Sequence, residues 1–207
     1  MLISRTIVAA LLIHGLTSMS TTALKWPSAL TQAQQPTDPS STLERWQPFT
    51  SEAGNFSILM PQVAPDALEA READEFGQVM ARTQEETIAY GVFYANLPMP
   101  AESLAEEEVD QVLNAAVEGF IEDWETKNLI SERKVMLDNS QGEKFPGKEV
   151  EIEGSEGLFK LRLYWVNPRL YLLLVGSQSP EQFPADSDQF LDSFQLLSLP
   201  AEDSPPE

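Results

Sequence analysis

An α+β domain with a central antiparallel β-sheet, one long middle helix and a short C-terminal helix is what this sequence predicts. Three observations carry that expectation. Most segments between residues 56 and 176 alternate apolar and polar side chains with the period of a half-buried strand. A single stretch between residues 103 and 124 repeats its apolar residues every three or four positions. Phe190 and Phe194 then stand one turn apart in a short segment running from Pro184 to Ser193.

In chain order, Phe56, Ile58 and Met60 share one face of a strand that Pro61 stops, and Ile88, Tyr90, Val92 and Tyr94 share one face of another that ends before Pro98. Ser103 and Glu106 have capping-box spacing. Behind them Val109, Val112, Leu113, Ala116, Val117, Phe120 and Trp124 form one broad apolar stripe, so this helix is expected to pack on the sheet. Residues 130–138 read as extended. Val150 and Ile152 alternate with Glu149, Glu151 and Glu153, the pattern of a strand with its charged side in water. Phe159, Leu161, Leu163 and Trp165 alternate with Lys160, Arg162 and Tyr164, and Asn167-Pro168 then suggests a type I turn. The following run, residues 170–175, is apolar on both faces, so the hairpin's second strand is expected at the centre of the sheet with cover on each side.

The termini read differently. Arg5 precedes an apolar core at residues 7–16, and Thr21 and Ala23 are small residues suited to positions −3 and −1 of a cleavage site, which is the pattern of an export signal. The apolar run falls short of the roughly 20 residues that a spanning helix needs, so residues 1–23 are expected to be removed, with a cut after Ala33 as the alternative. Residues 24–45, with Pro27, Pro36 and Pro39 among Ser, Thr and Gln, read as a flexible linker. Residues 46–200 then form one domain, and the Pro- and acid-rich residues 201–207 a disordered tail. The expected destination is the periplasm, the medium or a thylakoid lumen.

Composition narrows the chemistry. The chain has no cysteine, and its only histidine, His14, lies in the signal, so the exported form is expected to lack thiol nucleophiles, imidazole bases, Cys/His zinc sites and disulfides. A formal net charge of −20 repels phosphate backbones and anionic lipid surfaces, which argues against nucleic acid and membrane partners and leaves cations and basic proteins.

Glu118, Glu122 and Glu125 fall at i, i+4 and i+7 of the helix, where three carboxylates along one face offer oxygen ligands for weak calcium or manganese binding. The competing reading is a solvated acidic face. A carboxylate pair able to hydrolyse a glycosidic bond is a further alternative, although no particular pair is marked out by the sequence. Ser131-Glu132-Arg133-Lys134 spells S-x-x-K, but in a segment that reads as extended where that motif needs a helix. Residues 138–142 read as a turn rather than a calcium loop, because Gly142 and Glu143 come in the wrong order. Trp124 and Trp165 lie on apolar faces and are expected in the core; Trp46 stands where the domain begins.

The order of landmarks is distinctive: Trp46-Gln-Pro-Phe49, a Gly54-Asn-Phe56-Ser-Ile58 strand ending in Met60-Pro61, Tyr90-Gly-Val-Phe-Tyr94, the acidic amphipathic helix, the 158–176 hairpin and a closing Phe190-Leu-Asp-Ser-Phe194. Over residues 46–199 it resembles exported cyanobacterial-type proteins of the PsbP/Mog1-like fold group. That resemblance implies an α-β-α sandwich without enzymatic activity, acting as an extrinsic lumenal subunit, an assembly factor of photosystems or a protein-binding module. It carries over no binding residue, because the histidines and basic contacts of the photosystem subunits have no counterpart in a His-free acidic domain. The expected function is thus a non-catalytic exported binding or assembly module with a protein partner, with no resident cofactor. The alternatives are a weak divalent-cation binder and a carboxylate hydrolase.

Overall fold

The computed structural model describes residues 46–83, 87–98, 104–122, 124, 127–155, 157–179 and 182–197. The expected signal, linker and tail lie outside the described residues, as do residues 198–200 at the end of the expected domain. No helix among the described residues is long and apolar enough to cross a membrane.

The described chain runs β1 (Trp46–Ser51), β2 (Phe56–Pro61), β3 (Leu68–Glu72), β4 (Phe76–Arg82), β5 (Ile88–Asn96), α1 (Glu106–Phe120), β6 (Lys127–Asp138), β7 (Lys144–Gly154), β8 (Gly157–Val166), β9 (Arg169–Ser177), α2 (Ser187–Asp192) and β10 (Gln195–Leu196). Seven strands form one antiparallel sheet in the order β3-β4-β5-β9-β8-β7-β6, and β1-β2-β10 form a second. As its two-sided apolar sequence predicts, β9 is the middle strand of the seven.

The class is α+β, but the α-β-α sandwich holds only in part. One face of the large sheet is covered by α1, whose Val109, Val112, Leu113 and Ala116 pack against Val150, Ile152, Phe159, Leu161, Leu163 and Trp165. The other face is covered chiefly by the small sheet, with α2 at its margin. Phe56, Ile58 and Met60 of β2 join Phe190, Leu191 and Phe194 over Tyr90, Val92, Tyr94, Tyr171 and Leu173. Three tyrosine rings make a broad apolar floor, and alternating β2 side chains cover it more widely than a six-residue helix reaches.

Two local details differ from expectation. Helix α1 starts with Ala105 as its N-cap, two residues later than the capping-box spacing suggests. Alanine has no side-chain oxygen to accept from the backbone N–H of Glu108, so only half of the motif forms: the Ala105 N–H donates to the Glu108 carboxylate at 3.0 Å. The Asn167-Pro168 peptide is cis, and the register Val166↔Arg169 puts proline third in the turn. The turn is therefore of the cis-proline class and not type I, since proline at that position forces the preceding residue out of the helical region.

Candidate functional site

Strand alternation, together with the register of β6, β7 and β8, gathers a layer of charge on the sheet face away from α1. Glu149 lies opposite Arg162 and Glu151 opposite Lys160 across the β7–β8 ladder. On the other side of β7, Arg133 lies opposite Glu149 and Ser131 opposite Glu151. Helix α2 adds Asp188 and Asp192 from above.

The geometry is that of a continuous ion-pair layer. Arg162 donates from Nε to Glu149 Oε2 at 2.6 Å and from Nη1 to Asp192 Oδ1 at 2.6 Å. Arg133 donates from Nε to Glu149 Oε1 at 2.7 Å, so both oxygens of Glu149 are engaged by guanidinium groups. Lys160 Nζ pairs with Glu151 at 3.0 Å and Asp188 at 3.2 Å, and lies over the Phe183 ring. The Ser131 hydroxyl donates to the second Glu151 oxygen at 3.0 Å. The Arg162 and Glu149 side chains are only 6% and 5% exposed, a degree of burial that ion pairs survive only when fully partnered. Burial works against the Arg162 charge, yet the hydrogen bond to Asp192 and the Glu149 carboxylate outweigh it and hold the guanidinium more firmly protonated than usual. Lys160 is raised in the same way: burial opposes its charge, and the bonds to Glu151 and Asp188 restore it.

A second polar cluster joins α1 to the sheet. Glu106, Asp110 and Asn114 follow one another at four-residue spacing along the helix and meet two lysines of the sheet. Lys134 pairs with Asp110 at 2.7 Å and Glu106 at 3.1 Å, and those hydrogen bonds raise its affinity for the proton. The ammonium of the buried Lys148 pairs with Glu132 at 2.5 Å and donates to Asn114. The start of the acidic helix face is therefore tied to the sheet and not merely solvated.

The residues singled out from sequence are placed as follows. Glu118 is exposed on the last turn of α1, and Glu122 is exposed beyond the helix end; Glu125 lies outside the described residues. Lys127 Nζ donates to the carbonyls of Ile121 at 2.9 Å and Glu122 at 3.0 Å, so an ammonium already occupies the C-terminal end of this helix. Among the described residues no three His, Cys, Asp or Glu converge as a metal site would require. Ser131 and Lys134 lie on a strand, pointing to opposite faces. Asn139 closes the 139–143 turn by accepting from the N–H groups of Gln141 and Glu143. Trp165 is buried, Trp124 packs on Phe159 at 4.4 Å between ring centres, and Trp46 meets Tyr90 edge-on at 5.2 Å.

Sequence reasoning placed Glu149 on the water side of its strand, and the structure buries it together with Lys160 and Arg162 of the neighbouring strand. The available signal was that the two alternating strands carry opposite charges, Glu149 and Glu151 against Lys160 and Arg162, as a neighbouring antiparallel pair would. Chemically the layer holds strands together. A general acid needs a carboxyl oxygen free to deliver a proton to substrate, and neither oxygen of Glu149 is free to do so.

No protein-family model matches the chain, and no curated protein matches it. Among solved structures it is similar to the solution structure of cyanobacterial PsbP (CyanoP) from Synechocystis sp. PCC 6803, with 12% identity, 78% of this chain and 98% of that chain covered, and a TM-score of 0.48.

Proposed function

We propose that the domain is a non-catalytic exported binding or assembly module in a photosynthetic setting, and that its partner is a protein with a basic surface. The observation that carries this reading is the division of charge. The buried cations and carboxylates of the β6–β8 layer are paired with one another. The excess of acid in the sequence, 33 Asp and Glu against 13 Lys and Arg, is not taken up by that layer. One stretch of the exposed surface is the β3–β4 hairpin, where exposed Glu69, Glu72, Asp74 and Glu75 flank Phe76, itself 44% exposed. Such a surface speeds the approach of a cationic partner and repels nucleic acid and anionic lipid. The sequence resemblance supports the same reading, since members of that fold group bind protein complexes outside the cytoplasm.

The test is an affinity capture from the native envelope at low salt. The expected result is a specific protein that is released as ionic strength rises. Return of the bait alone at low salt refutes the proposal.

A further inference from the structure

The outer edge of β6 differs from the rest of the surface. This 12-residue strand is the last of the seven-stranded sheet and, among the described residues, pairs with β7 on one side only. Three of the four exposed large hydrophobics among the described residues lie on it: Leu129 at 55%, Ile130 at 50% and Met136 at 54%. A long edge carrying apolar side chains is a template for another strand. The opposite edge, β3, is five residues long and carries exposed Glu69, Arg71 and Glu72 with no comparable apolar run.

The sequence of β6 complements itself when reversed. Leu129-Ile130 and Val135-Met136-Leu137 flank the charged centre Glu132-Arg133-Lys134, and Lys127 and Asp138 close the two ends with opposite charges. A second copy laid antiparallel and centred on Arg133 sets Glu132 against Lys134 of the other chain, twice. The pairing register of β6 shifts by one residue between Leu129 and Ser131, a bulge that leaves Ile130 as the extra residue. That single-residue shift brings Leu129 opposite Met136 and Lys127 opposite Asp138 of the second copy. The faces agree as well. Leu129 pairs with Ile152, Glu132 with Val150 and Met136 with Pro146, so these side chains all lie on the α1 side of the sheet, as directly opposed residues in an antiparallel pair must. Arg133 meets its own copy at the axis, where each guanidinium is already bound to its own Glu149 at 2.6 Å.

We infer that the protein forms a two-fold dimer by antiparallel pairing of β6 with β6 of a second copy, joining the two large sheets edge to edge. The interface is self-complementary and closes on itself, leaving the shorter β3 edges outermost.

Sedimentation equilibrium of the exported protein tests this, with Leu129→Asp and Met136→Lys as variants and Phe76→Asp as control. The wild type and the control should dimerise. Each β6 variant alone should weaken the dimer on the order of tenfold, because the lost contact occurs twice. Far-UV circular dichroism should be unchanged, since both side chains are exposed. Mixing the two variants should recover wild-type affinity, because Asp at 129 then faces Lys at 136 across one half of the interface while Met136 faces Leu129 across the other. A monomeric wild type overturns the inference, and so does a wild type that stays monomeric while taking up another protein's extended segment. Variants that dimerise normally, or a mixture no tighter than its components, overturn it equally.

Discussion

On the sheet face away from α1, β4, β5 and β9 present Val79, Tyr90, Val92, Tyr94, Tyr171 and Leu173 to the small sheet, while β6, β7 and β8 present Arg133, Glu149, Glu151, Lys160 and Arg162 to α2 and solvent. Both halves are antiparallel ladders of one sheet. The first excludes water with rings: Phe56 alone packs against Phe49, Tyr94, Tyr171 and Phe194 at centroid distances of 5.5 to 6.4 Å. The second removes charges from water and compensates each with a partner. The difference lies in how each half fails. An aromatic cluster loses stability in proportion to the volume removed, whereas an ion-pair layer fails when one partner is missing and tolerates the loss of both.

Substitutions at the centres of the two halves should show this most strongly. Phe56→Ala is expected to cost about 3–5 kcal/mol, and Phe56→Leu, which keeps most of the volume, much less. Glu149→Ala is expected to cost about 3–5 kcal/mol because the buried Arg162 loses its only buried carboxylate and keeps just Asp192, which is 68% exposed, and Glu149→Gln should recover little of that despite its matched shape. A Glu149→Met, Arg162→Met double variant should be far more stable than Glu149→Ala. Urea unfolding measures all of these. A Glu149→Gln variant as stable as the wild type would show that the layer is held by shape and not by charge.

The aromatic half was largely legible in the sequence and the ionic half was not. Phe56, Ile58 and Met60, like Tyr90, Val92 and Tyr94, announce their shared face by alternation alone, because burial of a strand face needs only period two. β4 escaped that reading because it is buried on both faces, with Val79, Met80, Ala81 and even Gln78 covered, so it shows no alternation. Exposed β3 offers no apolar period either. For Glu149 the period was read correctly and its environment was not. Its partners stand 16 residues before it and 13 after it, and α2 reaches Arg162 from 30 residues further on. Whether a charged strand face meets water or a neighbour's opposite charge is decided by tertiary register, which local pattern does not contain. The same holds for Glu106 and Asp110, whose partner Lys134 is 28 and 24 residues away.

Alkali should distinguish the halves by a smaller, graded effect. All four tyrosines of the chain have phenols raised above the usual 10.0. Burial is the main cause in each, and for Tyr90 a hydrogen bond to Asp186 at 2.7 Å adds to it. A raised folded value means that the folded state holds its proton more tightly, so this contribution is complete below pH 10 and is lost as pH climbs through the folded values. Lys160, raised above 10.5, has the same sign, its ion pairs contributing below that pH and failing above it. Stability is therefore expected to fall between about pH 10 and 12. Phenolate absorbance should stay suppressed until circular dichroism reports unfolding. Phenolate appearing near pH 10 with the fold intact would mean that the aromatic half admits water.

Within the charged region the effect should scale with burial, and the two lysines facing α1 allow the comparison at nearly constant chemistry. Lys148 is 7% exposed and Lys134 is 63% exposed, yet both reach the same face of α1, Lys148 bonding Asn114 together with Glu132 of β6 and Lys134 bonding Asp110 and Glu106. Lys148→Ala removes a packed alkyl stem and leaves Asn114 and Glu132 to be rehydrated, a loss of about 1–3 kcal/mol. Lys134→Ala removes a pair that water and salt already screen, so its effect should be the smaller and should vanish at high ionic strength, while that of Lys148 persists. Unfolding of both variants at low and high salt measures the contrast. A Lys134 effect that survived high salt would mean that the ends of α1 depend on charge more than their exposure implies, and that the ionic half extends through the sheet to its helix-covered face.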